Sequence, residues 1–288
     1  MDLSIVIPSF NTRLLIDRCL ESINASLKNS KLDFEIIVVD NASTDGTKQL
    51  LNNKYIRVIK IFNKKNIGYG QANNLGINKA MGEYILLLNS DVKVIGDSIY
   101  KLFEFTRRSQ KSFVGGKLLN EDGTPQPSCG PGYTLPVAFL MLFLKGDHYN
   151  ITRYSPNKIR KVDWVSGACI MAKKADFLKL GLFDNKIFMY MEEIDLLYRA
   201  RISGYTVYFY PEARFIHSGA ASSGNRKQPV VNIYQGLWYF YQKHMSVSAQ
   251  IILLLLLKLK AYLVITVSRL LRAKNSASIY EQALQNLK

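Results

Sequence analysis

The chain has 288 residues, enough for one large core or for a core with an accessory lobe. Its formal net charge of +16 predicts anionic partners: nucleotide phosphates, nucleic acid or an acidic membrane face. The three cysteines, Cys19, Cys129 and Cys169, are odd in number and lack metal-ligand spacing, which argues against a disulfide framework or a zinc site and favours a reducing cytoplasm. The short apolar run before Pro8 lacks a basic start and predicts a first strand, not a signal peptide.

Apolar runs alternate with helical patterns along the first part of the chain. Strand patterns occupy residues 3–7, 34–39, 56–61, 84–88 and 113–116. Helical patterns occupy residues 14–27, 45–51, 71–80 and 98–108. Because crossovers of a dozen residues or more join parallel strands, the alternation predicts an α/β fold with a Rossmann-like, mostly parallel sheet and helices on both faces.

The alternation fails at residues 117–163, where prolines and glycines accumulate. This composition predicts a loop-rich insertion over one edge of the sheet. Order resumes with an apolar strand at 164–172 that is broken at Ser166-Gly167, a helix at 175–180 and short strands at 205–211 and 214–216. We therefore expect a main domain at 1–220, divided into 1–116, the insertion at 117–163 and 164–220, followed by a helical region at 221–288.

The C-terminal region contains an apolar stretch at 247–267 that is interrupted by Lys258 and Lys260. The stretch is long enough to span a membrane, but each central lysine would cost about 2.5–3.5 kcal/mol on insertion scales. We expect instead a helix hairpin that lies on an anionic membrane surface, with snorkelling lysines and further basic residues at its flanks. The alternative is a helix packed on the protein's own core or on a second subunit of a homo-oligomer.

The tripeptide Asn89-Ser90-Asp91 follows the apolar run at 84–88, which is typical of a buried strand. In open α/β sheets, ligands bind beyond the carboxyl ends of the strands, so Asp91 points to a site where a divalent metal meets a phosphate. The alternative is a helix N-cap or a turn, which the same residue types favour.

Five segments together resemble the inverting GT-A glycosyltransferases of the family 2 type, a group that includes bacterial rhamnosyltransferases. They are IVIPSFN at 5–11, VVDNASTDGT at 38–47, NIGYGQANNLG at 66–76, LNSD at 88–91, and WVSGA at 164–168 with EEID at 192–195. The resemblance covers residues 3–220 and is specific because order, spacing and strand context all match. It implies the GT-A fold, a nucleotide-sugar donor bound by 1–116, acceptor binding and a catalytic base in 164–220, a divalent metal, and inversion at the anomeric carbon.

The donor-binding residues follow from the matched segments. The resemblance implies that Asp40 contacts the N3–H of uracil or thymine, although capping of the following helix is an alternative for this residue. Backbone amides and short polar side chains at a strand-to-helix turn suit a base or ribose, and glycines allow a close approach to a ligand. The expected donor contacts are Pro8, Ser9, Asn11, Asp40, Asn41, Asn66, Gly68, Gln71, Asn74, Asn89, Ser90 and Asp91.

The expected metal is Mg²⁺ or Mn²⁺, because hard ions with oxygen ligands stabilise a departing diphosphate. Asp91 is the first predicted ligand. Asn89 is a second-sphere or water-mediated one, and it departs from the Asp-x-Asp pattern of the family, which argues for a weakly held metal. His217 resembles the histidine that completes the metal shell in related enzymes, although a histidine beside an apolar strand is more often structural.

Inversion requires a base on the acceptor side of the anomeric carbon. Glu192, Glu193 and Asp195 form the dense acidic cluster of this basic chain. The match to the paired-acid motif assigns Glu193 as the base, with Glu192 and Asp195 positioning the acceptor or the neighbouring arginines, and the choice between the two glutamates stays open. The alternative is that the three acids cap a helix N-terminus.

The leading hypothesis is therefore a peripheral enzyme on the cytoplasmic face of the cell membrane. It would transfer a sugar from dTDP-rhamnose or a UDP-hexose to a lipid-linked or polysaccharide acceptor in cell-surface glycan synthesis. The rival is a catalytically silent nucleotide-sugar-binding scaffold subunit. A nucleic-acid-binding protein would explain the charge but not the acids at strand ends, and the sequence has no stacking motif, so no nucleic-acid partner is expected.

Overall fold

The computed structural model describes residues 1–219, 227–271 and 274–287. Its strands are β1 Leu3–Ser9, β2 Phe34–Asp40, β3 Ile59–Phe62, β4 Tyr84–Leu88, β5 Val92–Val94, β6 Ser112–Leu119, β7 Cys129–Gly130, β8 Arg160–Lys161, β9 Trp164–Val165, β10 Cys169–Lys173 and β11 Thr206–His217. Its helices are α1 Arg13–Leu27, α2 Thr47–Lys54, α3 Tyr69–Lys79, α4 Ser98–Arg108, α5 Leu135–Phe143, α6 Lys174–Lys179, α7 Glu192–Ile202, α8 Lys227–His244, α9 Val247–Leu270 and α10 Lys274–Gln285.

One large sheet runs in the order β3-β2-β1-β4-β10-β6-β11-β5, with β8 paired to β11. The pairs among β1, β2, β3 and β4 are parallel, as is β6 with β11, whereas β10 and β5 pair antiparallel to their neighbours. In β1, Ile5 and Ile7 pack into a cluster with α1 and α4, while Val6 packs into a second cluster with α3 and α7. Helices thus cover both faces of the sheet.

The apolar strand predicted at 164–172 is broken at Ser166-Gly167, as expected, and its two parts, β9 and β10, belong to different sheets. Other strand boundaries differ from the prediction: the strand expected at 56–61 begins at Ile59, and the one expected at 113–116 extends to Leu119. The two short strands expected at 205–211 and 214–216 form one strand, β11, with a register shift between Tyr210 and Arg214. A β-bulge of this kind bends a strand without ending it.

The C-terminal helices share the core of the main domain. Leu237 and Tyr241 of α8 and Leu253 and Leu257 of α9 belong to the same buried cluster as Trp164. The phenol of Tyr241 donates a hydrogen bond of 2.8 Å to the carbonyl oxygen of Tyr133 in the insertion. The division expected at residue 220 therefore separates segments that pack together, and residues 220–226 lie outside the described part of the chain.

Helix α9 is almost uniformly apolar in composition, but only one side of the helix is buried. One stripe, including Leu253, Leu257 and Ala261, is fully buried against the protein. Large apolar side chains on the other faces are exposed, among them Leu255 at 61% and Tyr262 at 59%. By length and composition α9 could also cross a membrane, and it is the one described helix that could.

Candidate active site

A cavity of about 250 Å³ lies beyond the carboxyl ends of β1 and β4. Parallel neighbouring strands bring the polar residues after each strand to the same sheet edge. Of the predicted donor contacts, those that line the cavity are Pro8, Ser9, Asn41, Asn66, Asn89, Ser90 and Asp91. The cavity is also lined by residues that the sequence analysis did not select: Phe10, Thr12, Tyr69, Phe188, Met189, Tyr190 and Asn232.

The hydroxyl of Thr12 connects the two strand ends. Its oxygen lies 2.9 Å from the Ser9 hydroxyl oxygen and donates to the Ser90 hydroxyl at 3.0 Å. All three side chains are buried. This chain of hydroxyls fixes the position of Ser90, and therefore of its neighbours Asn89 and Asp91, relative to β1.

Asn11 and Asp40 do not line the cavity. Asn11 has a positive φ of 52° and binds the loop after β2, because its side-chain oxygen accepts from the Thr44 amide at 2.8 Å. Asp40 is 2% exposed, and its Oδ2 accepts from the Ser43 amide at 3.1 Å. Its Oδ1 has no hydrogen-bond partner in the described part of the chain. Since α2 begins later, at Thr47, Asp40 does not cap that helix.

Gly68, Gln71 and Asn74, which are predicted donor contacts, do not line the cavity and contact a later segment of the protein. At Gly68, with φ of +86°, a Cβ atom would lie 2.3 Å from the Phe188 carbonyl oxygen. The Asn74 side chain exchanges hydrogen bonds of 2.9 and 3.0 Å with the backbone of Phe183, and Gln71 donates to the Asn185 carbonyl at 2.9 Å. These residues hold the cavity wall that contains Phe188.

Three predicted metal ligands converge at one end of the cavity. The Nε2 atom of His217 lies 3.3 Å from Asp91 Oδ1 and 3.4 Å from Asn89 Nδ2. Antiparallel pairing of β5 with β11 produces this approach, because it places His217 opposite Val92. His217 Nδ1 lies 2.7 Å from Gln126 Oε1, an acceptor from the insertion that orients the ring.

The chemistry of these side chains fits a hard divalent ion. A carboxylate, an imidazole nitrogen and an amide oxygen are suitable ligands, and Asn89 Oδ1 is buried without a hydrogen-bond partner among the described residues. Within the same residues, no group of three or more His, Cys, Asp and Glu side chains could hold a metal. The protein therefore supplies few ligands, and a bound diphosphate would have to supply others.

Glu192 and Glu193 begin α7 directly after two residues with positive φ, Tyr190 and Met191. Such strain in non-glycine residues persists where the surrounding structure enforces it. One carboxylate oxygen of each glutamate is buried without a hydrogen-bond partner in the described part of the chain. If the two glutamates only capped the helix, their carboxylate oxygens would be expected to accept hydrogen bonds. The unpaired oxygens differ from that expectation.

Burial raises the pKa of both glutamates. For Glu192 the neighbouring Glu193 charge adds to this effect and raises its pKa well above the ordinary value. For Glu193, burial is opposed by its own backbone amide, by the Arg153 charge and by the backbone of Gly167, all of which lower its pKa. The pair therefore favours a proton on Glu192 and the negative charge on Glu193.

Tyr69 connects the cavity with the two glutamates. Its ring lines the cavity, and its hydroxyl donates to the Gly167 carbonyl oxygen at 2.5 Å. Burial raises the pKa of Tyr69, and the nearby charges of Glu192 and Glu193 raise it further. The acidic pair thus lies next to the Tyr69 wall of the cavity, on the side of β9.

Asp195 has a different environment from the glutamates that precede it. It is fully buried and forms ion pairs with Arg199 and Lys243 at 2.8 Å and with His244 at 2.7 Å. Burial raises the pKa of Asp195, but Arg199, Lys243 and His244 together lower it below the ordinary value. The carboxylate joins α7 to α8, and its pairing with Arg199 agrees with the predicted alternative that Asp195 positions a neighbouring arginine. The other predicted arginine partner, Arg201, pairs with Asp163 at 2.8 Å.

Helix α8 completes the cavity. Asn232 lines it, and Gly236 allows the helix to approach the Tyr190 backbone so closely that a Cβ atom would lie 2.8 Å from that carbonyl oxygen. All the predicted donor contacts lie within residues 1–220, so this contribution of α8 was not predicted. Gly236 within an aromatic helix was the available signal, since a glycine there often marks a close approach of two backbones.

Comparison with known proteins identifies a protein family that the sequence around this site matches. Residues 4–128 match the family model described as glycosyl transferase family 2. The N-acetylglucosaminyl-diphospho-decaprenol L-rhamnosyltransferase of Mycobacterium tuberculosis is 29% identical over 209 residues, which are 66% of this chain and 68% of that protein. Residues 4–128 therefore form a family 2 domain, and the chain is a glycosyltransferase.

Two further likenesses agree with this family. The rhamnosyltransferase WbbL of Escherichia coli is 25% identical over 223 residues, covering 74% of this chain and 82% of that protein. The crystal structure of TarS from S. aureus superposes with a TM-score of 0.58 at 17% identity, covering 84% of this chain and 39% of the TarS chain. This structural likeness confirms the predicted GT-A fold of the glycosyltransferase.

Proposed function

We propose that this glycosyltransferase transfers rhamnose or a hexose, with inversion, from a dTDP- or UDP-linked donor to a phosphate-bearing, lipid-linked or polymeric acceptor of the cell surface. The observation that carries the proposal is the convergence of Asp91, His217 and Asn89 at the strand-end cavity. The Mycobacterium tuberculosis relative, named for a diphospho-decaprenol acceptor, supports the acceptor class.

In this proposal Asp91, His217 and Asn89 hold a Mg²⁺ or Mn²⁺ ion. When bound, such an ion stabilises the negative charge that develops on the departing nucleoside diphosphate. Gln126 keeps His217 oriented by accepting from its Nδ1–H, so that Nε2 is free to act as a ligand. The Ser9, Thr12 and Ser90 hydroxyls keep the Asp91 loop beside the donor.

Glu193 removes the proton from the acceptor hydroxyl. The hydroxyl oxygen forms a bond to the anomeric carbon, the bond from that carbon to the diphosphate oxygen breaks, and the proton passes to the carboxylate. Glu193 is suited to this step because Arg153 and nearby backbone amides favour its charged form. Burial and the neighbouring Glu193 charge raise the pKa of Glu192, which favours its protonated form, and a protonated carboxyl cannot accept the acceptor proton.

Nucleoside diphosphate release tests the proposal. The purified protein is incubated with dTDP-rhamnose and with UDP-hexoses, with and without a lipid-linked N-acetylglucosaminyl diphosphate, in Mn²⁺ or in excess chelator. We expect release that requires both the acceptor and the metal. Equal release with and without chelator would contradict the metal site.

A catalytically silent scaffold is the second candidate. Asn89 in place of a carboxylate favours it, because it removes one negative charge from the metal site. A scaffold would bind a nucleotide sugar, measured as a rise in unfolding temperature, without consuming it in the presence of any acceptor.

We further propose that the exposed face of α9 rests on the cytoplasmic face of the membrane, where it places the site near lipid-linked acceptors. Leu255 at 61% exposure and Leu259 at 51% contribute to that face, and Lys258 lies between them in the sequence. Apolar burial and attraction of lysines to anionic lipid both strengthen such interfacial binding.

Vesicle sedimentation tests the membrane proposal. The double variant Leu255→Ser and Leu259→Ser should lose binding to anionic vesicles and keep nucleotide binding. Ile56→Ser, at a position 80% exposed and distant from α9 in the sequence, is the matched control and should bind as the parent does. If parent and double variant ignore vesicles but differ in oligomeric state, the face is a subunit interface.

A further inference from the structure

A second group of functional side chains lies on the insertion side of Glu193, outside the donor cavity. Trp164 is 2% exposed, and its indole nitrogen donates to the Pro131 carbonyl oxygen at 2.9 Å. The guanidinium carbon of Arg153 lies 5.4 Å from the centre of the Trp164 ring. The centre of the Tyr133 ring lies 6.1 Å from the centre of the same Trp164 ring. The insertion thus places a cation on a fixed aromatic surface.

Arg153 has a buried donor that lacks a partner among the described residues. By comparison, the guanidinium of Arg201 pairs with Asp163 at 2.8 Å, and the ammonium of Lys117 donates to the Asn157 side chain at 2.6 Å. Arg153 forms no ion pair within the described part of the chain, and its buried Nε has no hydrogen-bond partner there. An unpaired buried donor on a charged group is costly, which points to a ligand that pairs with it.

The interaction of Arg153 with Glu193, the proposed base, points to a ligand near the acceptor. Arg153 is not among the residues that line the donor cavity. Burial raises the pKa of Glu193, and the positive charge of Arg153 opposes that rise, so the two groups are within electrostatic reach. An acceptor whose hydroxyl meets Glu193 would therefore bring its neighbouring groups to Arg153.

We propose that Arg153 binds the phosphate of the acceptor and so selects acceptors that carry a diphosphate beside the reacting sugar. The planar guanidinium fork matches phosphate oxygens bidentately, and its weak hydration suits a half-buried site. This inference rests on the proposed function, because it presupposes transfer to an acceptor hydroxyl at Glu193.

The test compares two acceptors that differ in one group. Both carry N-acetylglucosamine on the same short polyprenyl chain, joined through a diphosphate in one and directly through the glycosidic oxygen in the other. The kcat/KM for each is measured with the parent, Arg153→Gln and Arg153→Lys, at a pH on the plateau of each protein's rate profile. Unfolding temperature and donor affinity are recorded for every variant.

The parent should prefer the diphosphate acceptor, and Arg153→Gln should lower kcat/KM for it about 10- to 100-fold, mainly through KM. The same variant should change kcat/KM for the phosphate-free acceptor far less, and Arg153→Lys should retain part of the preference. The acidic limb of the Arg153→Gln rate profile should also move to higher pH, because Glu193 loses the charge that favours its ionised form.

Equal losses with both acceptors would overturn the inference and make Arg153 a structural residue. Equal use of both acceptors by the parent would overturn it as well, while the proposed transfer reaction would stand. If the parent binds the donor but uses neither acceptor, the acceptor class itself is wrong, and the proposed function fails together with the inference.

Discussion

Buried carboxylates occur in two regions of the molecule with opposite environments. In one region they have oxygens without hydrogen-bond partners, and in the other the carboxylate is paired with cations. Near the strand-end cavity, at the end of β2 and in the first residues of α7, oxygens of Asp40, Glu192 and Glu193 are buried without hydrogen-bond partners in the described residues. At the contact of α7 with α8, Asp195 is fully buried and surrounded by Arg199, Lys243 and His244. The comparison indicates that the first region is built for ligands and the second for stability.

The largest expected effect is on the metal site of the first region. Asp91→Ala should abolish transfer and metal-dependent nucleotide binding, because it removes the one carboxylate among the three predicted ligands. The unfolding temperature should stay close to that of the parent, since the Asp91 side chain lies against the cavity and not in the apolar core. Calorimetric titration of UDP and dTDP with and without Mn²⁺ measures the binding. If the variant fails to fold, Asp91 has a structural role like that of Asp195, and the prediction is wrong.

The second region should respond in the opposite way. Asp195→Asn should lower the free energy of unfolding by about 3 kcal/mol, the lower end of the cost of breaking a buried ion pair, because the partly exposed Arg199 and Lys243 lose a fully buried counter-charge. The exposed pair of Glu281 with Arg269, at 2.7 Å, provides the matched control. Glu281→Gln should change the free energy by at most about 1 kcal/mol. Urea unfolding measures the free energy of unfolding of both variants. Equal, small decreases would contradict a stabilising role for the ion pairs of Asp195.

The two regions should also differ in the sign of their pH dependence. Burial tends to raise the pKa of Asp184, but Lys243, the Lys186 amide and Tyr239 lower it to about 2. The stabilising charge of Asp184 is therefore present above the ordinary aspartate pKa of about 3.9 and is lost as the pH falls through about 2. Glu192 has a raised pKa, so its contribution is present below the ordinary value and is lost as the pH rises through the folded value.

Urea unfolding across a pH series checks these signs. The stability of Glu192→Gln relative to the parent should increase as the pH rises above about 4.3, where unfolded glutamate ionises. The deficit of Asp184→Asn should be largest at neutral pH and should shrink as the pH falls. Parallel curves for the two variants would contradict the assignment of opposite environments.

Sequence patterns located the first region well because its signals are local. The saturated apolar run of β4 followed by Asn89 and Asp91 predicts both a buried strand and a polar strand end. His217 was selected only through the family resemblance, and β-pairing with β5 explains its position. The fold class followed from the same alternation of short-range patterns.

The partners of each residue could not be predicted from local patterns. Asn74 meets Phe183, and Asp195 meets Lys243, across long stretches of intervening chain. No short window contains these partners, so neither contact could be predicted, whereas the local pairing of Asp195 with Arg199 was among the predicted alternatives. Arg153 lies in the insertion, where strand and helix patterns do not alternate regularly. The sequence there has no periodicity from which the orientation of the Arg153 side chain could be predicted.

The most direct test of the comparison is the transfer rate of Glu193→Gln beside Glu192→Gln and Asp195→Asn. The account predicts that Glu193→Gln keeps the parent's donor affinity and unfolding temperature but loses on the order of 10²–10⁴ in transfer rate, the usual contribution of a general base. If Glu192→Gln loses that rate and Glu193→Gln does not, the two glutamates exchange roles. If Glu193→Gln transfers as fast as the parent, unpaired buried carboxylates at the start of α7 do not mark the catalytic base, and the central claim is wrong.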